Sequence, residues 1–315
     1  PDSIWIGTDG GGINLFSPHT EKFTHYSSTW GDKVAFISGF TPGKLLISLF
    51  SKGVFVFNPA TGEKQPFTII DKETTTRLCN RGKSVNLYQN TPNTLLFLGD
   101  HIYQYHLKEK KFSTITEEEG KDIVGTLVPF DHQENLTYIN DIKHIYELDD
   151  QTSRLKTVFE CYTDTVISSV SHDEQGHFWI GSNFGLIHYD PVLKSRTLVP
   201  TNLFTEINMV LCDQKGKVWI GVDNMLFAYF IKEQKFVLFG ESNGAIQNEY
   251  LPNARLVNEQ GDAYIGGVKG MLRIDGQLLL NTSEMPELQL LDITINGESA
   301  NHEWYNHPAK ISVPW

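Results

Sequence analysis

The chain has 315 residues, a formal net charge of −12 at pH 7, and a composition that is 40% hydrophobic, 20% charged and 12% aromatic. This composition supports a substantial folded core and excludes a disordered chain, and the negative charge argues against binding to nucleic acid or to anionic membranes. The three cysteines are far apart and fit neither a zinc-ligand spacing nor a disulfide framework. No run of about 18 apolar residues predicts a membrane span. The chain starts at Pro1 rather than at methionine, which we interpret as a piece of a longer protein.

The first element is the stretch IWIGTDGGG at residues 4–12, where three glycines follow an apolar run. A dinucleotide-binding loop requires G-x-G-x-x-G between a strand and a helix, because the pyrophosphate binds at the helix N-terminus. Here the glycines are followed by Ile13-Asn14-Leu15-Phe16 and then Ser17-Pro18, which is typical of a short strand. We therefore predict a bend between two strands.

Related stretches recur along the whole chain. The positions aligned with Trp5 share an apolar or aromatic side chain inside a predicted strand, and they are Trp5, Leu46, Phe97, Tyr138, Trp179, Trp219 and Tyr264. Most intervals are about 40 to 45 residues, the period of a β-propeller blade. The repeat therefore predicts an all-β fold, a seven-bladed propeller of four-stranded antiparallel blades.

Each repeat has the same internal order. An alternating strand precedes a turn of the type Asx-x-x-Gly, as at Asp173, Asp213 and Asn258, and the strand with the aligned aromatic residue follows. A third strand often ends in Asn-Pro or Asp-Pro, and an outer strand carries Lys-Phe, as at Lys22-Phe23. We expect the aligned tryptophans to pack against the neighbouring blade. We also expect the first repeat to lack its innermost strand, which a preceding or a C-terminal segment would supply.

Residues 3–26, SIWIGTDGGGINLFSPHTEKFTHY, resemble the two-component regulator propeller repeat, and residues 243–275 resemble the closing blade of such propellers. The first, fifth, sixth and seventh repeats carry the pattern most clearly. After them, LQLLDITINGES and KISVPW are similar to the start of the triple-tyrosine (Y_Y_Y) immunoglobulin-like module, and Asn296-Gly297 fits a turn between its strands. We therefore expect a propeller over residues 1–280 and the first strands of an immunoglobulin-like β-sandwich over 281–315.

The resemblance implies a function. Such propellers are the periplasmic sensor of hybrid two-component systems, in which one chain also carries a histidine kinase and often controls polysaccharide utilisation. The implied partners are an oligosaccharide signal, a neighbouring propeller, the Y_Y_Y module and a second copy of the chain. The membrane would be reached only through a transmembrane segment C-terminal to this sequence, and no cofactor is implied.

The sequence motifs of other classes of function are weak or absent. SHDEQGHFW at residues 171–179 departs from the sialidase Asp box in the spacing of its glycine, and neither H-E-x-x-H nor G-x-S-x-G occurs. No Trp-Asp dipeptide supports an intracellular WD scaffold. We expect no catalysis and no metal site in this part of the chain. A propeller lyase or glycoside hydrolase that draws its residues from separate blades remains open, and so does a rigid spacer without a ligand.

Two sets of connections should lie on the face where propellers bind ligands. They are the bends between second and third strands, and the connections that lead into each following blade. The residues on these connections that suit a sugar or an acidic sugar are Trp30, Arg77, Arg81, Asn202, Phe204, Asn248, Asp9 and Lys52. A planar aromatic side chain suits a sugar ring, and Arg77 and Arg81 suit a uronate or a sulfated glycan.

Overall fold

Seven antiparallel sheets follow one another along the chain and form a seven-bladed β-propeller, as the repeat predicts. The computed structural model describes residues 3–50, 52–67, 86–98, 102–115, 128–133, 136–203, 205–277, 294–295 and 298–299. Five blades have four strands, and in the described residues the first and the seventh have three each.

The first four blades contain fifteen strands. Blade 1 has β1 (Ile4–Gly7), β2 (Ile13–Ser17) and β3 (Lys22–His25), and blade 2 has β4 (Val34–Gly39), β5 (Leu45–Leu49), β6 (Gly53–Asn58) and β7 (Glu63–Pro66). Blade 3 has β8 (Asn86–Thr91), β9 (Thr94–Leu98), β10 (Ile102–His106) and β11 (Lys111–Ile115), and blade 4 has β12 (Val128–Gln133), β13 (Leu136–Asn140), β14 (His144–Asp149) and β15 (Arg154–Glu160).

The last three blades contain eleven strands in the described residues. Blade 5 has β16 (Ile167–His172), β17 (Phe178–Ser182), β18 (Gly185–Asp190) and β19 (Ser195–Leu198), and blade 6 has β20 (Met209–Cys212), β21 (Lys217–Val222), β22 (Met225–Phe230) and β23 (Lys235–Phe239). Blade 7 has β24 (Tyr250–Val257), β25 (Ala263–Gly267) and β26 (Gly270–Ile274). Two short 3₁₀ helices, Ser27–Thr29 and Glu241–Asn243, lie in the connections between blades.

The core lies between adjacent blades. Trp179 is buried and its ring lies 5.6 Å from that of Tyr229 in the next blade, and the Trp5 ring lies 6.1 Å from that of Phe57. The prediction that the aligned tryptophans pack against the neighbouring blade is confirmed for Trp5 and Trp179. The first and seventh blades also meet, because the Phe16 and Tyr264 rings are 6.4 Å apart.

The glycine two positions after the aligned aromatic residue has a packing role. A Cβ atom on Gly181 would lie 2.7 Å from Ile207 and 2.8 Å from Val210, and one on Gly221 would lie 3.0 Å from the Cβ of Tyr250. The inner strand of the following blade therefore approaches the backbone so closely that a side chain would collide with it. The Trp-Ile-Gly pattern is thus a requirement of packing between blades.

The three glycines of the first repeat form the predicted bend between β1 and β2. The Thr8 N–H donates to the Gly12 carbonyl at 3.1 Å, and Gly12 has a φ of +68°. A Cβ on Gly12 would collide with the backbone carbonyl of Thr29, so only glycine fits at this position. The glycines serve a strand connection, and the strand β2 that follows them leaves no helix N-terminus for a phosphate.

The Asx-x-x-Gly turns join the first and second strands, as predicted. In blade 5 the Gly176 N–H donates to the Asp173 carbonyl at 3.1 Å, and the Asp173 Oδ1 accepts from the N–H groups of Gln175 and His177 at 2.9 and 3.0 Å. The same aspartate therefore holds both ends of its turn.

Inner strands of neighbouring blades are joined by side chains. Ser169 and Ser171 accept hydrogen bonds from the N–H groups of Val210 and Cys212 at 3.1 and 2.9 Å. Arg255 on the inner strand of blade 7 donates to the Val170 carbonyl on the inner strand of blade 5, so its side chain spans past blade 6.

A second compact unit comprises Leu278–Trp315. Its described residues are the strands β27 (Thr294–Ile295) and β28 (Glu298–Ser299), which pair antiparallel. The predicted turn residues Asn296 and Gly297 lie outside the described residues. The immunoglobulin-like module and the boundary at residue 280 stay predictions.

Candidate functional site

One face of the propeller carries the connections from which the predicted site residues come. In antiparallel blades, the bends between second and third strands lie at the same end as the connections to the following blade. Asp9, Trp30, Lys52, Asn202 and Asn248 are on this face, which we call the connection face. Arg77, Arg81 and Phe204 lie outside the described residues.

Three connection segments meet at the corner between blades 1 and 2. The Gly10 N–H donates to the Asp32 carbonyl at 3.1 Å, and the Gly31 N–H donates back to the Gly10 carbonyl at 2.9 Å. The Phe50 N–H donates to the Lys33 carbonyl at 2.8 Å. These bonds place the segments of Asp9, Trp30 and Lys52 side by side. The structure therefore brings three of the eight predicted residues to one corner.

Charged side chains surround this corner. The side chain of Asp32 is buried and accepts from Lys52 Nζ at 2.6 Å and from Lys64 Nζ. Burial raises the pKa of Asp32, but the hydrogen bonds and charges of the two lysines outweigh it and hold the pKa below its usual value. Asp9 pairs with Lys33 at 2.9 Å, and both of these side chains are exposed. Lys52 is therefore held in place by a buried carboxylate.

Trp30 is the most solvent-exposed tryptophan of the described residues, with 70% of its surface accessible. It follows the helix Ser27–Thr29, and its N–H donates to the Ser27 carbonyl at 3.2 Å. The indole is exposed, and its backbone segment lies beside the segments that carry the Asp9–Lys33 and Asp32–Lys52 pairs. An exposed indole can stack on a sugar ring while the charged groups bind hydroxyl or carboxylate groups.

The other two described candidates differ from Trp30. Asn248 is buried; its Oδ1 accepts from the Lys269 N–H at 2.9 Å and its Nδ2 donates to the Gly270 carbonyl at 3.2 Å. Its amide is thus used to hold the bend of blade 7. Asn202 is exposed on the connection between blades 5 and 6. Neither lies at the Trp30 corner, so a ligand contact by either stays a prediction.

The connection face also carries many exposed apolar side chains, which the sequence reasoning did not single out. They lie in or beside the connections of several blades, and they are Phe50, Ile142, Tyr162, Val166, Phe184, Leu203, Met225, Ile246 and Val268. The available signal was an apolar residue in a turn of the repeat, as in Asn183-Phe184-Gly185. Scattered apolar residues are ordinary on a surface, but their concentration on one face favours an interaction role for that face.

Two grooves lie on the opposite face, at the turns between first and second strands. One, of about 690 Å³, lies between blades 2 and 3 and is lined by residues that include Phe40, Tyr88 and Asn90. The other, of about 280 Å³, lies between blades 5 and 6 and is lined by residues that include Asp173 and Lys217. None of the predicted site residues that the structure describes lines either groove.

The same opposite face contains a side-chain cluster that the sequence reasoning missed. Ligand-type atoms of Asp173, His177 and His188 lie within 4.8 Å of one another. The two histidines are eleven residues apart and meet only because β17 pairs with β18. Aligning the repeats around Trp179 and Trp219 would have drawn attention to His177, which replaces Lys217.

The described cysteines show no sign of reactivity. Cys161 and Cys212 are free, and burial raises the pKa of the Cys161 thiol to about 11 and that of the Cys212 thiol further. Thiols with raised pKa values carry little thiolate at neutral pH. In the described part of the chain, no helix is both long and apolar enough to cross a bilayer.

Comparisons with known proteins agree on the fold. No protein-family description and no curated protein matches the chain. The structure is similar to the extracellular domain of BT4673 of B. thetaiotaomicron, described as a one-component system, with a TM-score of 0.61 and 15% identity over 86% of this chain. This chain spans 38% of that one.

Two further structures cover the propeller almost end to end. The WD40 propeller domain of Doa1 has a TM-score of 0.60 and 13% identity, over 88% of this chain and 90% of that one. YCF48 bound to a D1 peptide has a TM-score of 0.64 and 10% identity, over 86% of this chain and 88% of that one. At these identities the likeness establishes the fold alone: the chain is a seven-bladed β-propeller.

Proposed function

We propose that this propeller is the periplasmic sensor domain of a hybrid two-component system. It recognises a carbohydrate-type signal by binding, without chemistry of its own, and so regulates an attached histidine kinase. The genes that the full-length protein controls would be those for polysaccharide utilisation.

The observation that carries the proposal is the Trp30 corner. An exposed indole lies on a backbone segment beside the segments of an acidic and a basic side chain, Asp9 and Lys52, and this is the combination that carbohydrate sites use. The resemblance of residues 3–26 to regulator propeller repeats and the similarity to the extracellular domain of BT4673 support the signalling context.

Signal transmission would follow from a shift between two arrangements of the chain. A ligand changes such an equilibrium only by as much as it binds one state better than the other. A sugar held at the corner between blades 1 and 2 would therefore act on how the propeller packs against its neighbours in the full-length protein.

The test is a calorimetric titration of the protein with neutral and acidic oligosaccharides, combined with a bond-cleavage assay on the same panel. We expect binding without cleavage, and we expect Trp30→Ala to weaken it by at least about tenfold, as loss of an aromatic anchor does. Tyr162→Ala, another exposed aromatic on the connection face, and Leu193→Ala, on the opposite face, should leave affinity unchanged. Cleavage of any sugar would replace the sensor with a lyase or glycoside hydrolase.

A rigid spacer or protein-docking propeller is the second candidate, and the exposed apolar side chains of the connection face favour it. The fold likeness to the WD40 domain of Doa1 fits this alternative too. No binding across the panel, with full binding to a neighbouring domain that is lost in Phe184→Ser, would support the spacer.

A further inference from the structure

The cluster at the first turn of blade 5 has the composition of a metal site. His188 Nε2 and His177 Nδ1 are 3.1 Å apart, and His177 Nδ1 is 3.8 Å from Asp173 Oδ2. In a tetrahedral zinc site with bonds of about 2.0–2.1 Å, neighbouring ligand atoms are about 3.3–3.4 Å apart. The two observed separations lie on either side of that value.

The backbone fixes the positions of these ligands. Asp173 belongs to the turn, His177 directly precedes β17, and His188 lies on β18 opposite Trp179 in the strand register. The Asp173 Oδ1 is occupied by two backbone N–H groups, and its Oδ2 accepts from the Trp179 indole N–H at 2.8 Å. Oδ2 keeps a lone pair beyond the one that accepts from Trp179, and it lies 3.8 Å from His177 Nδ1.

Further groups hold the two rings. Asp190 Oδ2 lies 3.6 Å from His177 Nε2, the nitrogen that points away from His188, and carboxylates in this position orient metal-binding histidines. The Trp179 ring lies 4.5 Å from that of His188.

The neighbouring blades show what this corner normally contains. In blade 6, Lys217 occupies the position of His177, and its Nζ donates to Asp213 Oδ2 at 3.0 Å. In blade 7, Arg273 occupies the position of His188, because Tyr264 pairs with Arg273 as Trp179 pairs with His188. Arg273 donates to Asp262 at 2.8 Å. Both corners therefore contain a carboxylate and a permanent cation.

Blade 5 has no such cation. Across the described part of the chain, neither Asp173 nor Asp190 is paired with a lysine or an arginine. Two carboxylates and two imidazoles meet at this largely buried corner, and in the described residues no lysine or arginine balances the carboxylate charge, which is costly away from water. A bound dication would take the place of Lys217 and Arg273.

We propose that Asp173, His177 and His188 bind a zinc-type transition-metal dication at the first turn of blade 5. Imidazole nitrogen favours zinc, copper or nickel over calcium and magnesium, whose ligands are oxygen atoms. A quarter of the His177 side chain is exposed, so the ion can reach the site from solvent and can keep a water molecule as fourth ligand. The ion would fasten the turn to β17 and β18.

The test uses the purified chain after treatment with a chelator, titrated with zinc chloride at about pH 7.5 in competition with a chromogenic chelator. We expect one zinc ion per chain, and no saturable binding of calcium or magnesium. Loading with cobalt(II) should give the visible absorption bands of a tetrahedral nitrogen and oxygen site. Denaturation by urea should occur at higher urea concentration in the zinc-loaded protein.

Three variants make the test specific. His177→Lys imitates blade 6, so it should fold without metal and lose zinc binding. His188→Ala should weaken binding by at least about tenfold, the size seen even for groups behind the ligands, and Asp190→Asn should weaken it less. His19→Ala changes an exposed histidine in blade 1 and should bind zinc like the unaltered protein.

Two results would overturn the proposal. One is a stoichiometry near zero for the unaltered protein, in which case the corner takes a proton instead of a metal. The other is unchanged zinc affinity in both His177→Lys and His188→Ala, which would place the bound ion elsewhere. Because His177→Lys has a natural precedent in the next blade, misfolding of His188→Ala alone would leave a decisive measurement.

Discussion

Blades 5 and 6 contain the same turn between their first and second strands, but different side chains contact the turn aspartate. Asp173 and Asp213 each accept two backbone N–H groups within their own turn, at distances between 2.9 and 3.0 Å. Beyond that common framework, Asp213 binds the ammonium group of Lys217, whereas Asp173 faces His177 and the Trp179 indole. The turn aspartate is thus shared by blades 5 and 6, and the two blades differ in the side chain that it contacts.

The largest effect on stability is expected when the turn aspartate is removed. Asp213→Ala would leave two turn N–H groups and the Lys217 ammonium without their acceptor, and should lower the free energy of unfolding by about 3 kcal/mol. Urea denaturation followed by tryptophan fluorescence measures this. Glu233→Ala, an exposed carboxylate in the same blade, should change stability by less than about 0.5 kcal/mol. Equal decreases in the free energy of unfolding in the two variants would mean that the turn aspartate contributes no more than an exposed carboxylate.

A smaller effect is expected when only the partner is removed. Lys217→Met keeps the turn but leaves the carboxylate of Asp213, which is only 4% exposed, without its cation. We expect a loss of about 1–2 kcal/mol, because the lysine itself is partly exposed and solvent compensates for some of its charge. Lys232→Met, at an exposed position of the following turn, is the matched control and should be close to neutral. A neutral Lys217→Met would mean that the ammonium is dispensable.

The smallest effect concerns pH and the third version of this corner, in blade 7. Burial raises the pKa of Asp262, but its hydrogen bonds to the Gly276 N–H and to Arg273 outweigh burial and hold the pKa below its usual value. The folded state therefore binds a proton less readily than the unfolded chain, so this stabilisation is present above about pH 4 and disappears as the pH falls through the lowered pKa. Arg273→Met should reduce the acid sensitivity of unfolding by less than about 1 kcal/mol. An unaltered pH profile would assign the acid response to other groups, such as Asp32.

Much of the fold could be predicted from the sequence because the same pattern of residues recurs in each blade. Six of the seven aligned positions fall inside the second strand of a blade, including Leu46 and Tyr138 in the repeats with the weakest pattern, and Trp5 falls inside β1, the first described strand of blade 1. The Asx turns and the Lys-Phe outer strands were predicted for local reasons, since both depend on residues next to each other in the chain. The sequence predicts four strands for blade 7, and three of them lie in the described residues, which end at Gln277 for this blade.

The candidate site was predictable only in part. The connection face and the exposure of Trp30 follow from the order of strands, but the burial of Asn248 depends on contacts with Lys269 and Gly270 across a bend. The His177–His188 contact depends on the register of β17 and β18, which a search for contiguous metal motifs does not test. Residues that meet only through strand pairing can therefore be found in a repeat sequence by aligning each predicted strand with its predicted partner strand.

The Arg255 side chain has a consequence for how the blades are held together. It extends from β24 to the Val170 carbonyl on β16, its Nη1 is buried and has no hydrogen-bond partner in the described residues, and burial lowers the pKa of its guanidinium to about 10. The hydrogen bond joins the inner strands of two blades that are not neighbours. Blades 5 and 7 are therefore connected directly as well as through blade 6, and loss of the Arg255 side chain would remove the direct connection.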